Sequence, residues 1–342
     1  MLGLRRPSIA EDTESRKPFR PRLMFFHRRH RETPFPELCS HSAAGTDLSQ
    51  GFASVFVTAQ DGLTLHVRRY GSRHASAHSV VCLPGLARTA ADFHPLATAL
   101  AADPANPRLV LALDYRGHGQ SQYDRHSNNY TIRVALADLS AVLAALEITS
   151  AIFVGTSFGG VLAMMLAVLP PIAVAGVILN DIGPVIEPRG LVRIKQYVGK
   201  LPVPRTLEEG AEILRWWFHA QFPKLAPQDW IAFAQRTWRE HRGALMPNHD
   251  LKLARALRGV SLERLPTLWD QFDALAHIPL MVIRGASSDM LASTTVNAML
   301  ARRGQLEVVV VPDQGHAPLL AEPKVIRRIA AFVASCDVPA RD

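Results

Sequence analysis

The chain's strongest chemical signal is a serine set between glycines, in the run Gly155-Thr156-Ser157-Phe158-Gly159. A short apolar run typical of a buried strand precedes it, and a helical pattern begins at about Phe158. In this strand–turn–helix context the sharp turn lifts a serine hydroxyl clear of the sheet, and the glycines let neighbouring segments approach closely. The spacing therefore predicts a nucleophile elbow with Ser157 as the attacking group.

A serine hydroxyl becomes a useful nucleophile only beside a histidine base that a carboxylate orients. In chains with this elbow the order is serine, acid, histidine. His316 follows the last predicted strand, and of the 14 histidines it is the only one so placed. Two carboxylates ahead of it also follow buried strands, Asp289 and Asp181, whereas Asp313 is a turn residue too close to His316 to reach the back of its ring. The sequence thus predicts a Ser-His-acid triad with two candidates for the acid.

The elements that must hold these side chains alternate between strand and helix. An Asp61-Gly62 turn joins the first two strands into an antiparallel hairpin, and helical patterns separate most of the later apolar runs. Such alternation predicts an α/β fold with a mostly parallel sheet, helices on both faces and chemistry beyond the carboxyl ends of the strands. The predicted strands are Ala53–Ala59, Leu63–Tyr70, Ser79–Leu83, Leu109–Leu113, Ala151–Val154, Ala173–Leu179, Leu280–Ile283 and Leu306–Val311.

About a hundred residues between the sixth and seventh of these strands have helical spacing and no clear strand run. We interpret this segment as a helical cap inserted after the sixth strand. The chain then divides into a basic N-terminal tail (1–50), a core (51–184 and 271–336) and the cap (185–270). Because residues 1–50 are rich in proline and arginine, we expect the tail to be disordered.

With these motifs the chain resembles the α/β-hydrolase superfamily over roughly residues 52–335. The resemblance implies the α/β-hydrolase fold, and it implies an oxyanion hole made by the backbone N–H groups of Leu86 and Phe158. Leu86 ends the run Leu83-Pro84-Gly85-Leu86, which follows the third strand where the family has a His-Gly-x turn. Pro84 stands where many members have histidine, but the donor is a backbone group.

The resemblance also ranks the two candidate acids. The family usually carries its acid after the penultimate strand, where Asp289 stands, so we favour Asp289 as the partner of His316. Asp181, in Asn180-Asp181-Ile182, follows the sixth strand, a position that some relatives use, and it remains the alternative.

A second polar turn is similar to a scaffold feature of the family. The run from Asp114 to Ser121 matches the pattern D-x-R-G-x-G-x-S after the fourth strand. We interpret Asp114 and His118 in it as structural rather than catalytic, and we expect Arg116 and Ser121 to satisfy backbone groups of the loop.

The implied reaction is acyl transfer through a Ser-His-Asp triad and an acyl-enzyme, with a small carboxylic ester as the substrate. A carbon–carbon bond hydrolase or a lactonase on the same triad is the alternative, and a non-catalytic small-molecule receptor or scaffold is the alternative of another class.

No dinucleotide or phosphate-loop fingerprint is present, so we expect no cofactor. The cysteines are three and widely spaced, so we expect neither a disulfide framework nor a metal site.

Two features of the cap bear on the substrate. Arg189, Arg193 and Lys195 follow the loop at Asn180–Pro184, which suggests either a carboxylate-bearing substrate or, more simply, a solvated helical face. The cap's aromatic side chains either pack its interior or contact the substrate, and we favour packing. They are Trp216, Trp217, Phe218, Phe222, Trp230, Phe233 and Trp238.

Composition excludes several other classes. Of the 342 residues, 48% are hydrophobic, which rules out a wholly disordered chain. The formal net charge is +8. The basic excess lies in the tail and the cap, without a nucleic-acid-binding module, so we expect no nucleic-acid partner.

The longest apolar run, Val161–Leu179, is interrupted by Pro170-Pro171, so we expect a buried helix followed by a strand and no stable membrane insertion. We find no apolar segment typical of a secretory signal in the tail and expect a cytoplasmic location.

Overall fold

The structure, a computed structural model, describes residues 51–168, 173–263 and 265–337. The predicted tail (1–50), which includes Cys39, lies outside the described residues. Ten strands occur in the described ranges. They are β1 (Ala53–Thr58), β2 (Thr64–Tyr70), β3 (Ser79–Leu83), β4 (Val110–Asp114), β5 (Ser150–Thr156), β6 (Ala173–Asn180), β7 (Trp238–His241), β8 (Ala244–Pro247), β9 (Leu280–Gly285) and β10 (Glu307–Val311).

Eight strands form one sheet in the order β1-β2-β4-β3-β5-β6-β9-β10. The ladder is antiparallel where β2 pairs with β1 and β4, and every other pairing in it is parallel. All eight predicted strands are present in this sheet, and each of their ends lies within two residues of the predicted one. Since β3, β5, β6, β9 and β10 run in the same direction, the loops after them meet at one edge of the sheet.

Ten α-helices accompany the strands in the described part of the chain. They are α1 (His94–Ala101), α2 (Ile132–Ala145), α3 (Phe158–Leu166), α4 (Pro188–Tyr197), α5 (Leu207–Phe218), α6 (Pro227–Thr237), α7 (Leu253–Arg258), α8 (Trp269–Asp273), α9 (Ser293–Arg302) and α10 (Pro323–Ser335). Local signals mark several ends: Thr131 caps α2 by accepting a hydrogen bond from the Val134 N–H at 3.3 Å, and α10 begins at Pro323.

The sheet separates two buried clusters of apolar side chains. Alternate residues of β3 point to opposite faces, so that Val81 and Leu83 join one cluster and Val80 and Cys82 the other. Helices α2, α3 and α9 cover the first face, and α1 and α10 cover the second. The predicted layers, helices on both faces of a mostly parallel sheet, are therefore present.

The segment between β6 and β9 contains α4 to α8, as the helical spacing predicts, together with a hairpin that the sequence analysis did not anticipate. Strands β7 and β8 pair antiparallel and form a separate two-stranded sheet. Each strand has only four residues, and the turn at Arg242-Gly243 has positive φ at both positions, which suits a two-residue hairpin. So short a run is hard to distinguish from helix by periodicity alone.

The long apolar run from Val161 resolves into the end of α3 and the strand β6, as the two prolines predict. Among the described residues, none of the helices combines the length and the apolar character needed to cross a bilayer.

Candidate active site

Ser157 occupies the sharp turn between β5 and α3. Its backbone has φ +51° and ψ −113°, an unusual conformation for a residue with a side chain, which is the strain expected of a nucleophile elbow. The flanking glycines are required by close packing. A Cβ at Gly155 would lie 2.5 Å from the Gly159 carbonyl carbon, and one at Gly159 would overlap the Leu83 carbonyl oxygen.

We predict that Gly159→Ala destabilises the protein by about 3 kcal/mol, because the new methyl group meets backbone atoms of β3 that cannot move away cheaply. Thermal or urea unfolding of the purified variant measures the loss. The matched control is Gly304→Ala, where a Cβ has nothing within 4 Å and we expect a change within about 0.5 kcal/mol. Equal stability of the two variants would contradict the packing argument.

The structure brings Ser157 and His316 together with Asp181. His316 Nε2 lies 2.9 Å from Ser157 Oγ, and His316 Nδ1 lies 2.8 Å from Asp181 Oδ2. The Asp181 carboxylate also accepts hydrogen bonds from the Gly285 N–H at 2.8 Å and from the Ser288 hydroxyl at 2.6 Å. Because the Asp181 carboxylate accepts hydrogen bonds, the neutral imidazole carries its proton on Nδ1. The Nε2 lone pair is then free to accept the Ser157 hydroxyl proton.

The favoured partner of His316, Asp289, does not occupy the expected place. Its carboxylate forms a two-pronged ion pair with Arg193 of α4, with N···O distances of 2.7 and 2.8 Å. Burial alone would raise the pKa of Asp289, but the Arg193 guanidinium outweighs it and holds that pKa below its usual value. Asp181, the alternative, stands behind the imidazole instead. The loop after β9 reaches Asp181 through Gly285 and Ser288 and directs Asp289 toward the cap.

Two further side chains hold the His316 loop, and no sequence motif indicates either of them. Asn180 donates from Nδ2 to the Pro318 carbonyl oxygen at 2.9 Å and to Thr156 Oγ1 at 3.0 Å, which joins the ends of β5 and β6 to that loop. Gln221, from the cap, accepts the His316 N–H at Oε1 over 2.8 Å. Their contacts depend on residues far away in sequence, so no local motif identifies them.

The two predicted oxyanion donors flank Ser157. Phe158 is the first residue of α3, and Leu86 lies in the turn after β3, where a Cβ at Gly85 would lie 3.6 Å from Ser157 Cβ. Neither the Leu86 nor the Phe158 backbone N–H donates to a partner within the described ranges. Two unused donors beside a nucleophile are what a developing oxyanion requires.

The turn from Asp114 to Ser121 makes hydrogen bonds to the turn after β3 that contains Leu86, as a scaffold would. His118 accepts the Ala87 N–H at Nε2 over 3.2 Å, and the Tyr115 hydroxyl donates to the Pro84 carbonyl oxygen at 3.1 Å. Ser121 satisfies backbone groups, as expected, by donating to the Asp114 carbonyl oxygen. The expectation for Arg116 is wrong, because its guanidinium is paired with the carboxylates of Asp61, Asp124 and Asp138.

Two cavities meet at Ser157 and share Leu86 and Ile194 in their walls. The larger, of about 520 Å³, is bounded mainly by apolar side chains such as Val161 and Leu257. The smaller, of about 110 Å³, contains the polar side chains Arg88, Asp92, Arg236, Thr237 and His249, and His316 also lines it. A substrate attacked by Ser157 would thus extend into an apolar compartment and into a smaller one that has polar side chains among its apolar walls.

The cap aromatics pack the interior of the cap, as favoured, and three of them also line a cavity. Phe218, Phe222 and Phe233 pack in a buried cluster with Trp230 and Trp238, and these three phenylalanines also line the smaller cavity. Trp217 packs against the same cluster from a partly buried position. Trp216, by contrast, is 73% exposed and belongs to neither group.

The three basic residues of α4 do not line either of the two cavities described above. Arg193 is held by Asp289, and Lys195 donates to the Val260 carbonyl oxygen at 2.5 Å. These contacts argue against Arg189, Arg193 and Lys195 as the binding group for a carboxylate-bearing substrate. Within the described ranges, no three His, Cys, Asp or Glu side chains lie close enough together to hold a metal ion.

His249 makes stability depend on pH. Burial, assisted by the charges of His118 and Arg88 and opposed by Asp250, lowers the pKa of His249 from 6.5 to about 3. Between these values the unfolded chain binds a proton that the folded chain does not, so stability falls as the pH falls from about 6.5 toward about 3.

We predict that His249→Gln reduces this acid-side loss by about 2 kcal/mol between pH 7 and pH 4.5. Urea unfolding at the two pH values measures it. His241→Gln, at an exposed position of β7, is the control and is expected to leave the difference unchanged. A wild-type pH dependence in His249→Gln would contradict the assignment.

Comparison with known proteins agrees with this architecture. The alpha/beta hydrolase family model matches residues 80–329. The chain is 34% identical to a 3-hydroxybutyrate-oligomer hydrolase from Cupriavidus necator, over 74% of this chain and 87% of that protein. It is 26% identical to a 2-(acetamidomethylene)succinate hydrolase from Mesorhizobium japonicum, over 79% of this chain and 92% of that protein.

A solved structure gives the same result. The crystal structure of an alpha/beta hydrolase from Novosphingobium aromaticivorans superposes with a TM-score of 0.77 and 37% sequence identity, and the match covers 83% of this chain and 98% of that one. The family model covers well over half of the chain, and the matches extend over nearly the whole length of these relatives. The chain therefore belongs to the alpha/beta hydrolase family and is a hydrolase.

Proposed function

We propose that the protein hydrolyses carboxylic esters through Ser157, His316 and Asp181 by way of an acyl-enzyme. The observation that carries the proposal is the unbroken chain of hydrogen bonds from the Ser157 hydroxyl through His316 to the buried Asp181 carboxylate. An ester substrate is favoured by the relative from Cupriavidus necator, whose name specifies an oligomer of a hydroxy acid. Hydroxy acids condense with one another through ester bonds.

The proposed reaction has two halves. Ser157 Oγ attacks the ester carbonyl carbon while its proton moves to His316 Nε2, and the Leu86 and Phe158 N–H groups bind the oxyanion. The carbon–oxygen bond to the alcohol then breaks, and the imidazolium gives its proton to the departing oxygen. Water, deprotonated by His316, attacks the acyl-enzyme and returns the proton through His316 to Ser157 as the acid leaves.

Asp181 acts on this reaction through His316. Its carboxylate holds the proton on Nδ1 and stabilises the imidazolium that forms when Nε2 accepts the serine proton. Complete burial and two further hydrogen bonds keep the carboxylate in one orientation, so the imidazole has little freedom to turn away.

A substrate panel with an active-site label tests the proposal. The full chain is incubated with acyl esters, lactones and diketones that match in size, and separately with a fluorophosphonate followed by intact-mass measurement. We expect one adduct per chain and turnover of the esters ahead of the other classes. Faster turnover of lactones or diketones would replace the ester assignment with a lactonase or a carbon–carbon bond hydrolase. A folded protein that forms no adduct and hydrolyses none of the panel would contradict the proposed triad.

A further inference from the structure

The smaller cavity beside Ser157 contains more positive than negative charge. Among the described residues that line it, the charged side chains other than histidine are Arg88, Arg236 and Asp92. Arg88 binds Asp92 through Nε at 2.6 Å and Nη2 at 2.5 Å, and Arg236 Nε binds the same carboxylate at 3.1 Å. One carboxylate faces two guanidinium groups, so the cluster has a net charge of about +1.

Arg236 is the member of the cluster that has unused hydrogen-bond donors. Within the described ranges, its side chain donates only through Nε, so both Nη groups are unused. Arg88, by contrast, also donates from Nη1 to Thr237 Oγ1 at 2.9 Å. Burial, reinforced by the charge of Arg88 and opposed by Asp92 and Asp229, lowers the pKa of Arg236. Arg236 is only partly buried, with 23% of its side chain exposed, so its unused Nη groups can exchange water for an anion.

A second, independent side chain in the same cavity also lacks a partner. His249 is only 7% exposed, and neither of its ring nitrogens makes a hydrogen bond to any described residue. It is neutral at ordinary pH and so offers one donor and one acceptor. Buried polar groups are normally satisfied, so an unpartnered imidazole that shares a cavity with the unused Nη groups of Arg236 indicates a place for a polar, anionic group.

The position of His316 shows which part of an ester would lie in this cavity. His316 must give its proton to the departing oxygen, so the alcohol side of the ester lies on the imidazole side of Ser157. His316 lines the smaller cavity and does not line the larger one. The alcohol portion would therefore occupy the smaller cavity, and the acyl portion would extend into the apolar cavity of about 520 Å³.

Resting on the ester hydrolysis proposed above, we propose that Arg88, Arg236 and His249 form a carboxylate subsite for the leaving group. The preferred substrates are then esters in which a short hydroxycarboxylate is acylated on its hydroxyl by an apolar acid. The last ester bond of an oligomer of hydroxycarboxylic acids has this layout. Arg236 and His249 are specificity-determining residues in this scheme, and they take no part in proton transfer.

Three substrates of similar size test the subsite in the full chain. The first is 3-(butanoyloxy)butanoate, with its carboxylate on the leaving group, and the second is the corresponding neutral amide. The third is monobutyl succinate, with its carboxylate on the acyl side. In the wild type we expect kcat/KM for the first to exceed that for either of the others by about tenfold or more.

Substitutions then test the side chains themselves. Arg236→Gln is expected to lower the ratio of kcat/KM for the carboxylate over the amide by about 10-fold or more, and Arg236→Lys to restore part of it. His249→Phe removes no hydrogen bond to the described protein, so it serves if Arg236→Gln fails to fold, and it is expected to lower the ratio several-fold. Arg215→Gln, on an exposed face of α5, is the control and is expected to leave the ratio at its wild-type value.

The outcomes separate this inference from the ester hydrolysis on which it rests. Wild-type cleavage of the neutral amide-bearing ester that is lost in Ser157→Ala supports the proposed function by itself. With that in place, a carboxylate-to-amide ratio near one, or a preference for monobutyl succinate, overturns only the subsite. The subsite is also overturned if the variants at Arg236 and His249 keep the wild-type ratio. Hydrolysis of none of the three substrates overturns both proposals.

Discussion

Replacing Ser157 by alanine is expected to lower kcat/KM for an acyl ester by about 10⁴–10⁶-fold. The variant lacks the only oxygen that the His316 imidazole can activate among the described residues, so no acyl-enzyme can form. The residual rate would come from the oxyanion donors and from substrate binding, which do not need the serine. Initial rates on the best ester of the panel, together with the fluorophosphonate adduct mass, measure the effect.

The control for this experiment is Ser287→Ala. Ser287 lies in the loop after β9, is exposed, and makes no side-chain hydrogen bond within the described ranges. We expect it to retain wild-type rates and to form the adduct. Ester hydrolysis that survives in a folded Ser157→Ala protein would mean that another group attacks the substrate.

Replacing Asp181 by asparagine is expected to lower kcat by about 10³–10⁴-fold. An amide is nearly isosteric with the carboxylate, but its NH2 group would face either the Gly285 N–H or both His316 Nδ1 and the Ser288 hydroxyl. The Gly285 N–H can only donate, whereas Nδ1 and the hydroxyl can also accept, so the NH2 group is expected to face His316. The imidazole would then favour the tautomer with its proton on Nε2, which cannot accept the Ser157 hydroxyl proton. Steady-state kinetics on the same ester measure the loss, and a melting curve establishes that the variant is folded.

Asp289→Asn is the matched control, since it makes the same chemical change in the neighbouring loop. Asp289 pairs with Arg193 and not with His316, so we expect a fall of no more than about tenfold, through looser attachment of α4. A larger loss in Asp289→Asn than in Asp181→Asn would restore Asp289 as the acid. The comparison therefore decides between the two carboxylates that the chain order leaves open.

Much of the fold follows from short-range patterns. Apolar runs separated by helical spacing define the parallel strands, because a strand buried on both faces must be apolar along its whole length. The β7–β8 hairpin is not predicted in this way, because strands of four residues are too short to show the alternation of apolar and polar side chains. The elbow at Ser157 is also predictable from the local sequence. Its turn needs small residues at fixed offsets, and the chain has them at Gly155 and Gly159.

The sequence does not decide which of two carboxylates lies beside His316. Asp181 and Asp289 both follow parallel strands at the same edge of the sheet, and spacing along the chain does not distinguish them. The outcome depends on contacts between loops: Gly285 and Ser288 hold Asp181 beside His316, and Arg193 draws Asp289 toward the cap. Arg193 is about a hundred residues away from Asp289, so this competition exists only in the folded chain.

The sequence by itself determined the α/β-hydrolase fold, the position of the serine and the position of the histidine, because each depends on residues adjacent in the chain. Only the tertiary structure decided which carboxylate lies beside His316 and which charged side chains line a cavity together with Ser157. Arg88 follows β3 in the core and Arg236 ends a cap helix, and nothing in either segment shows that both meet Asp92. Charge–charge and hydrogen-bond partners across such distances are set by the packing of whole elements.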